Sequence, residues 1–131
     1  MTGELTIREM QGEAFDTSEL HGFHDDAPSH DPLGMGYSPQ RPETIAYLAM
    51  KLMLIVSEVG EAMEELRTHS VEPLRTLTYE GEKPVGFMSE LADVVIRVGD
   101  LAEIVGGDLE DAVRVKMAYN KTRPHKHGRA V

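Results

Sequence analysis

The sequence predicts an all-α protein, a bundle of four or five helices, and three observations carry that prediction. Apolar residues recur at alternating spacings of three and four along two long stretches, the mark of helices facing a core. No stretch sustains the period of two that a half-buried strand requires. The composition, 40% apolar but only 5% aromatic, with no Trp and eight Met, resembles a helical protein more than a sandwich or barrel. At 131 residues the chain has the length of a single domain, residues 1–131, with no room for a second. It is small enough that association with copies of itself would help complete its core.

The elements follow in order. Residues 5–22, LTIREMQGEAFDTSELHG, read as an amphipathic helix with Leu5, Met10, Phe15 and Leu20 as candidate core contacts. Residues 23–42 gather Pro, Gly, Asp and Ser and form a long loop; loops of that length are usually functional or mobile. Pro42 suits the first turn of the next helix, with Glu43 favourable beside its N-terminus. From there Ile45, Leu48, Leu52, Ile55, Val59, Ala62 and Leu66 form a core-facing stripe, and Met53, Val56 and Met63 add a second apolar strip. A helix of roughly 25 residues, about 37 Å long, touches more than one neighbour, and part of that contact is expected from another chain. Residues 70–86, with Pro73, Gly81, Pro84 and Gly86, make a connector in which LRTLTY forms a short helical or extended piece. A helix from about Phe87 to Val105 carries Leu91, Val95, Val98, Ala102 and Val105 on one stripe, and Gly106 and Gly107 end it. Asp108 is the expected N-cap of a last helix that continues to about Lys121 and stops before Pro124. A basic tail, residues 122–131, follows.

Composition narrows the function. With no Cys there is no disulfide framework and no thiolate metal site. The N-terminus MTGELTIREM lacks an apolar signal core, and the longest apolar run is interrupted by Lys51, so a cytoplasmic protein without a membrane span is expected. A net charge of −10 argues against binding a nucleic-acid polymer, whose phosphates would be repelled. The charge is uneven, however: residues 1–110 carry net −15 and residues 111–131 net +5. An acidic body with a basic end suits a metal at the first and a small phosphate anion at the second, although a basic tail can equally be merely solvated.

Two acidic pairs carry the chemistry. Glu58 with Glu61 and Glu90 with Asp93 lie three residues apart inside the apolar stretches LMLIVSEVGEAMEEL and FMSELADVVIRVGDL, and carboxylates are rarely placed there without a cation to meet them. Residues three apart share a helix face, so each pair points in one direction. If the two helices pack side by side, four carboxylates converge, a donor set that suits a hard divalent ion such as Mg2+ or Mn2+. Glu64, Glu65 and Arg67 read instead as a solvated face. Simple complementarity with a helix N-terminus explains Glu90 better than Asp93. Arg97 is placed to pair with Asp93 or Asp100 and to orient a carboxylate. On the last helix Lys116, Asn120 and Arg123 make a stripe of donors for phosphate oxygens, which His125, Lys126, His127 and Arg129 extend. Neither HGFH nor HKH has the spacing of a zinc site.

Taken together, Glu-x-x-Glu, a gap of 28 residues, Glu-x-x-Asp and the ending KMAYNKTRPHKHGR resemble the MazG-like branch of the all-α nucleoside triphosphate pyrophosphohydrolases, over roughly residues 20–129. The resemblance implies the all-α pyrophosphatase fold completed by oligomerisation, as a homodimer or homotetramer. It implies Mg2+, or Mn2+, held by Glu58, Glu61, Glu90 and Asp93, and hydrolysis of a (deoxy)nucleoside triphosphate to monophosphate and pyrophosphate in nucleotide-pool housekeeping. Glu58 or Glu61 would be the catalytic base, and Lys116, Asn120 and Arg123 would contact phosphates or sugar. Some relatives have a further Glu where this chain has Ser57, and some clasp the base with Trp, which this chain lacks. Phe23, His24 or Tyr37 would then have to stack on the base. The alternatives are a non-catalytic helical oligomer that binds nucleotide or a protein partner, and a di-iron bundle, which the absence of Glu-x-x-His pairs disfavours.

Overall fold

The computed structural model describes residues 3–28 and 41–124, so Tyr37, most of the 23–42 loop, and His125, Lys126, His127 and Arg129 of the tail lie outside the described residues. Among those described the protein is all-α, with five helices and one small hairpin: α1 (Ile7–Leu20), α2 (Pro42–Thr68), α3 (Val71–Arg75), β1 (Thr78–Glu80), β2 (Lys83–Val85), α4 (Phe87–Ile104) and α5 (Leu109–Lys121). None of the helices is long and apolar enough to cross a membrane.

Local chemistry explains where these elements begin and stop. The Thr6 hydroxyl accepts from the Glu9 N–H while the Glu9 carboxylate accepts from the Thr6 N–H, a reciprocal cap that starts α1 at Ile7 rather than at Leu5. Gly22, at φ 80°, turns the chain at the other end, where a Cβ would come within 2.9 Å of the Asp25 carboxylate. Pro42 opens α2, which runs 27 residues, about 40 Å. The connector holds α3 and then the antiparallel pair of β1 and β2, with Thr78 opposite Val85 and Glu80 opposite Lys83. Strands of three residues are too short to display an alternating pattern, which is why the sequence shows no period of two. Gly86 (φ 97°) then leads into α4 so close to the hairpin that a Cβ would meet the Thr78 hydroxyl at 2.7 Å. The hairpin therefore sets the starting point of α4. Asp108 caps α5 by accepting from the Asp111 N–H.

Helix α4 is the centre of the packing, with α2 along one side and α1 along another; α5 lies against α1. Gly99 permits the close approach of α1, since a Cβ there would lie 2.6 Å from the Met10 sulfur and 3.3 Å from the Gln11 Cα. Gln11 then ties α1 to the α4–α5 turn with all of its amide. Its Nε2 donates to Glu103 (2.6 Å) and to the Gly107 carbonyl (2.8 Å), and its Oε1 accepts from the Leu109 N–H (3.0 Å). Arg8 bridges Asp108 and Glu110 at the surface. Among the described residues the fully buried apolar side chains are few: Ala14, Tyr47, Ala62 and Ile104.

The expected core stripe of α2 is covered only in part: Ala62 is buried and Leu48 and Ile55 are half-buried. Ile45, Leu52, Val59 and Leu66 are each about half exposed, as are Met53, Val56 and Met63 of the second strip. The other buried positions of this helix are Thr44, Tyr47 and Lys51. The reason is geometric. A helix that is apolar over most of its circumference needs neighbours on several sides, and within one chain α2 has α4 on one side. Leu91 and Val95 of α4 and Val105 just after it are open in the same way; Leu5 before α1 and Leu20 at its end are exposed, while Met10 and Phe15 are partly covered.

Three substitutions test this packing. Ile104, 1% exposed, changed to Ala should cost about 2–5 kcal/mol in urea unfolding, whereas Leu20→Ala should change stability by less than about 0.5 kcal/mol. Gly99→Val should cost about 1–3 kcal/mol by forcing α1 and α4 apart.

Candidate functional site

The α2–α4 contact faces Glu58 of α2 toward Glu90 and Asp93 of α4. One carboxylate oxygen from each lies within 4.8 Å of the others, and all three side chains are partly buried. Arg97, one turn beyond Asp93, donates from Nε to Glu58 Oε1 at 2.9 Å. Arg97 thus pairs across the helix contact with Glu58, not with Asp93 or Asp100, the partners its spacing along α4 predicted. Glu61 is exposed and stands outside the group of three, yet its charge reaches Glu90. Of the four expected carboxylates, three converge and the fourth stands at the margin.

This crowding changes proton affinity. Burial raises the Glu90 carboxyl above its usual range, and so do a hydrogen bond with Glu58 and the charges of Glu58, Asp93 and Glu61. Asp93 is raised by burial and by Glu58, against the opposing pull of Arg97 and of Lys83 from the hairpin. The acids exceed the cations that face them, so both carboxyls hold a proton more tightly than they would in water. Bonds of about 2.1 Å to a small octahedral dication put adjacent ligand oxygens about 3 Å apart and opposite ones about 4.2 Å apart, so three oxygens within 4.8 Å of one another could share one by drawing inward. Glu58, Glu90 and Asp93 are therefore the residues able to hold a hard divalent ion.

A cavity of about 210 Å3 opens beside the acids, between α1, α4 and the turn after α1. Glu58, Asp93 and Arg97 form one part of its lining, Ala14, Phe23 and Ile96 an apolar part, and Thr17 and Ser18 place hydroxyl-bearing side chains on it. Phe23, expected near a base, stands on this cavity and is 55% exposed as a residue. His24 does not. It is buried with its two ring nitrogens on Glu19 and Asp100, which removes it from the stacking role that the sequence left open to it.

Lys116, Asn120 and Arg123 are not among the residues lining the cavity. They lie on or just past α5, which packs on α1. The Lys116 ammonium and the Arg123 guanidinium both sit over the Tyr119 ring, at 5.5 and 5.8 Å. The donor stripe exists, but this chain folds it away from its own carboxylates.

The sequence reading missed the part played by four residues. Thr17 and Ser18 reach the cavity from a helix that carried no motif, and Lys51 and Asp100 are buried partners of the turn after α1. Lys51 gave the one available signal, a cation inside the longest apolar run.

A pH test follows from the raised carboxyls. Because Glu90 and Asp93 bind protons more tightly folded than unfolded, their contribution is least favourable at neutral pH and recovers as pH falls through their raised values toward the ordinary carboxylate range. In EDTA, Glu90→Gln should therefore raise the melting temperature at pH 7, and the gain over the unsubstituted protein should shrink at about pH 5. An equal gain at both values would show that crowding is not its source.

Comparison of the chain with protein-family models, with curated proteins and with solved structures finds no match.

Proposed function

We propose that the protein is a Mg2+-dependent pyrophosphohydrolase that splits a ribo- or deoxyribonucleoside triphosphate between its α and β phosphates, acting in the cytoplasm as nucleotide-pool housekeeping. The observation that carries this reading is the meeting of Glu58, Glu90 and Asp93 across two helices, with Glu61 at the margin. It is the convergence that the Glu-x-x-Glu and Glu-x-x-Asp pairs require, made from oxygen donors alone.

In this reading Glu58, Glu90 and Asp93 hold the ion, and Arg97 keeps Glu58 turned toward it. Bound there, Mg2+ or Mn2+ would offset the phosphate charge and acidify the attacking water. Glu61, exposed and outside the group of three, is the carboxylate with freedom to take that proton, which favours it over Glu58 as base. The adjoining cavity receives the base, with Phe23 at its rim and the hydroxyls of Thr17 and Ser18 at hydrogen-bonding edges. Lys116, Asn120 and Arg123 keep a role with the phosphates through a second copy of the chain. The open apolar strips of α2 and α4 favour a homodimer or homotetramer, in which a neighbouring α5 supplies the donors that its own chain carries elsewhere.

Incubation with a panel of ribo- and deoxyribonucleoside triphosphates and Mg2+ should release monophosphate and pyrophosphate, and EDTA should abolish the release. Glu61→Gln should lower kcat by about 10^2- to 10^4-fold while leaving the melting temperature near that of the parent. Tight nucleotide binding with metal present and no product over hours would favour the non-catalytic oligomer instead.

Shared sites predict rescue between two inactive variants. Mixed in equal amounts after unfolding and refolding together, Glu58→Gln and Lys116→Ala chains should recover about a quarter of the parent activity, since half of random dimers are mixed and each mixed dimer has one intact site. No recovery, or a monomer by analytical ultracentrifugation, would remove Lys116 from the site.

A further inference from the structure

The turn that follows α1 is tied down from three helices by groups that the proposed chemistry does not use. His24 is 9% exposed, with Nδ1 2.6 Å from Glu19 Oε2 of α1 and Nε2 2.8 Å from Asp100 Oδ1 of α4. Both ring nitrogens thus stand at hydrogen-bonding distance from a carboxylate, one from each of two helices. The Phe15 ring packs on it at 4.6 Å between centroids. One residue earlier the Phe23 carbonyl accepts from the ammonium of Lys51 on α2. Lys51 is 6% exposed, and burial lowers its proton affinity while the charge of Asp100 opposes the loss.

A buried cluster of this kind is costly to desolvate, and hydrophobic contacts would fasten a turn as well. What the ties hold is therefore informative. They converge on the backbone at Phe23 and the side chain of the next residue, yet Phe23 as a residue is more than half exposed and lines the cavity beside Glu58 and Asp93. A core aromatic would be buried, and an ordinary surface aromatic would not have its backbone anchored from α2 and its neighbour from α1 and α4.

We infer that His24 and Lys51 are positioning residues, which hold Phe23 at the cavity rim so that its ring covers the flat face of a heteroaromatic base bound there. This rests on the pyrophosphohydrolase reading for the identity of the base. The hold on the turn does not. Restricting an aromatic before binding lowers the entropy lost when the ligand arrives, so its effect belongs in KM rather than kcat.

The hold is tested without nucleotide. In Lys51→Met and His24→Asn, amide hydrogen exchange at residues 23–27 should speed up about tenfold or more while α2 and α4 exchange as in the parent. Unchanged exchange in the turn would overturn the inference, and so would faster exchange throughout the chain. With nucleotide, His24→Asn and Phe23→Leu should each raise KM about tenfold with kcat within about twofold, and the double variant should be no worse than either alone. Additive effects, or a fall in kcat at constant KM, would show that the two residues act separately. A parent protein that releases no pyrophosphate would overturn the hydrolase reading and the base-covering role with it, while the exchange result still decides the hold on the turn.

Discussion

Three carboxylates from two helices stand with oxygens within 4.8 Å of one another, and a single guanidinium bonds one of them. Repulsion of this kind separates helices unless contacts elsewhere hold them. Here α2 is held by its long contact with α4, by Arg97 on Glu58, and by Lys51, whose ammonium reaches the Phe23 carbonyl in the turn after α1. Burial first, and the neighbouring acids after it, raise the proton affinity of Glu90 and Asp93. A dication would relieve the same repulsion that the fold sustains, which links the stability of the helix pair to the occupancy of the site.

The architecture is open where a bundle is normally closed. Helix α4 has neighbours on two sides, but α2 meets α4 with a face that includes Thr44, Tyr47, Lys51 and Glu58, and turns a broad apolar strip outward. Such a surface is unusual for a chain that works alone. In the proposed reading it fits the position of Lys116, Asn120 and Arg123 outside the cavity lining: a second copy that covered the strip would also supply the phosphate donors. Closing the core and completing the site would then be one event.

The polar inward face of α2 has a second consequence. Lys51 and Glu58 lie seven residues apart, two turns, on the side facing α4; one anchors the turn after α1 and the other belongs to the acid group. The helix therefore relates the position of Phe23 to the position of the carboxylates through a rigid rod about 10 Å in length between the two residues. The cavity between them inherits its dimensions from that spacing.

The sequence by itself determined the helices and the pairing of acids along each one. Caps such as Thr6, Asp108 and Pro42 and the glycines after α4 act within a few residues, and i, i+3 spacing places Glu90 beside Asp93 whatever surrounds them. Tertiary structure decided which face of each helix points inward. The periodic stripe at Ile45, Leu52, Val59 and Leu66 marks an apolar face but not how many helices arrive to cover it, and α4 came against the polar side. In the same way Arg97 met Glu58 across the contact rather than Asp93 along its own helix, and His24 met Asp100. Spacing along one helix is local geometry, whereas the partner of a buried charge depends on which surfaces pack together, and that is settled by the whole chain at once.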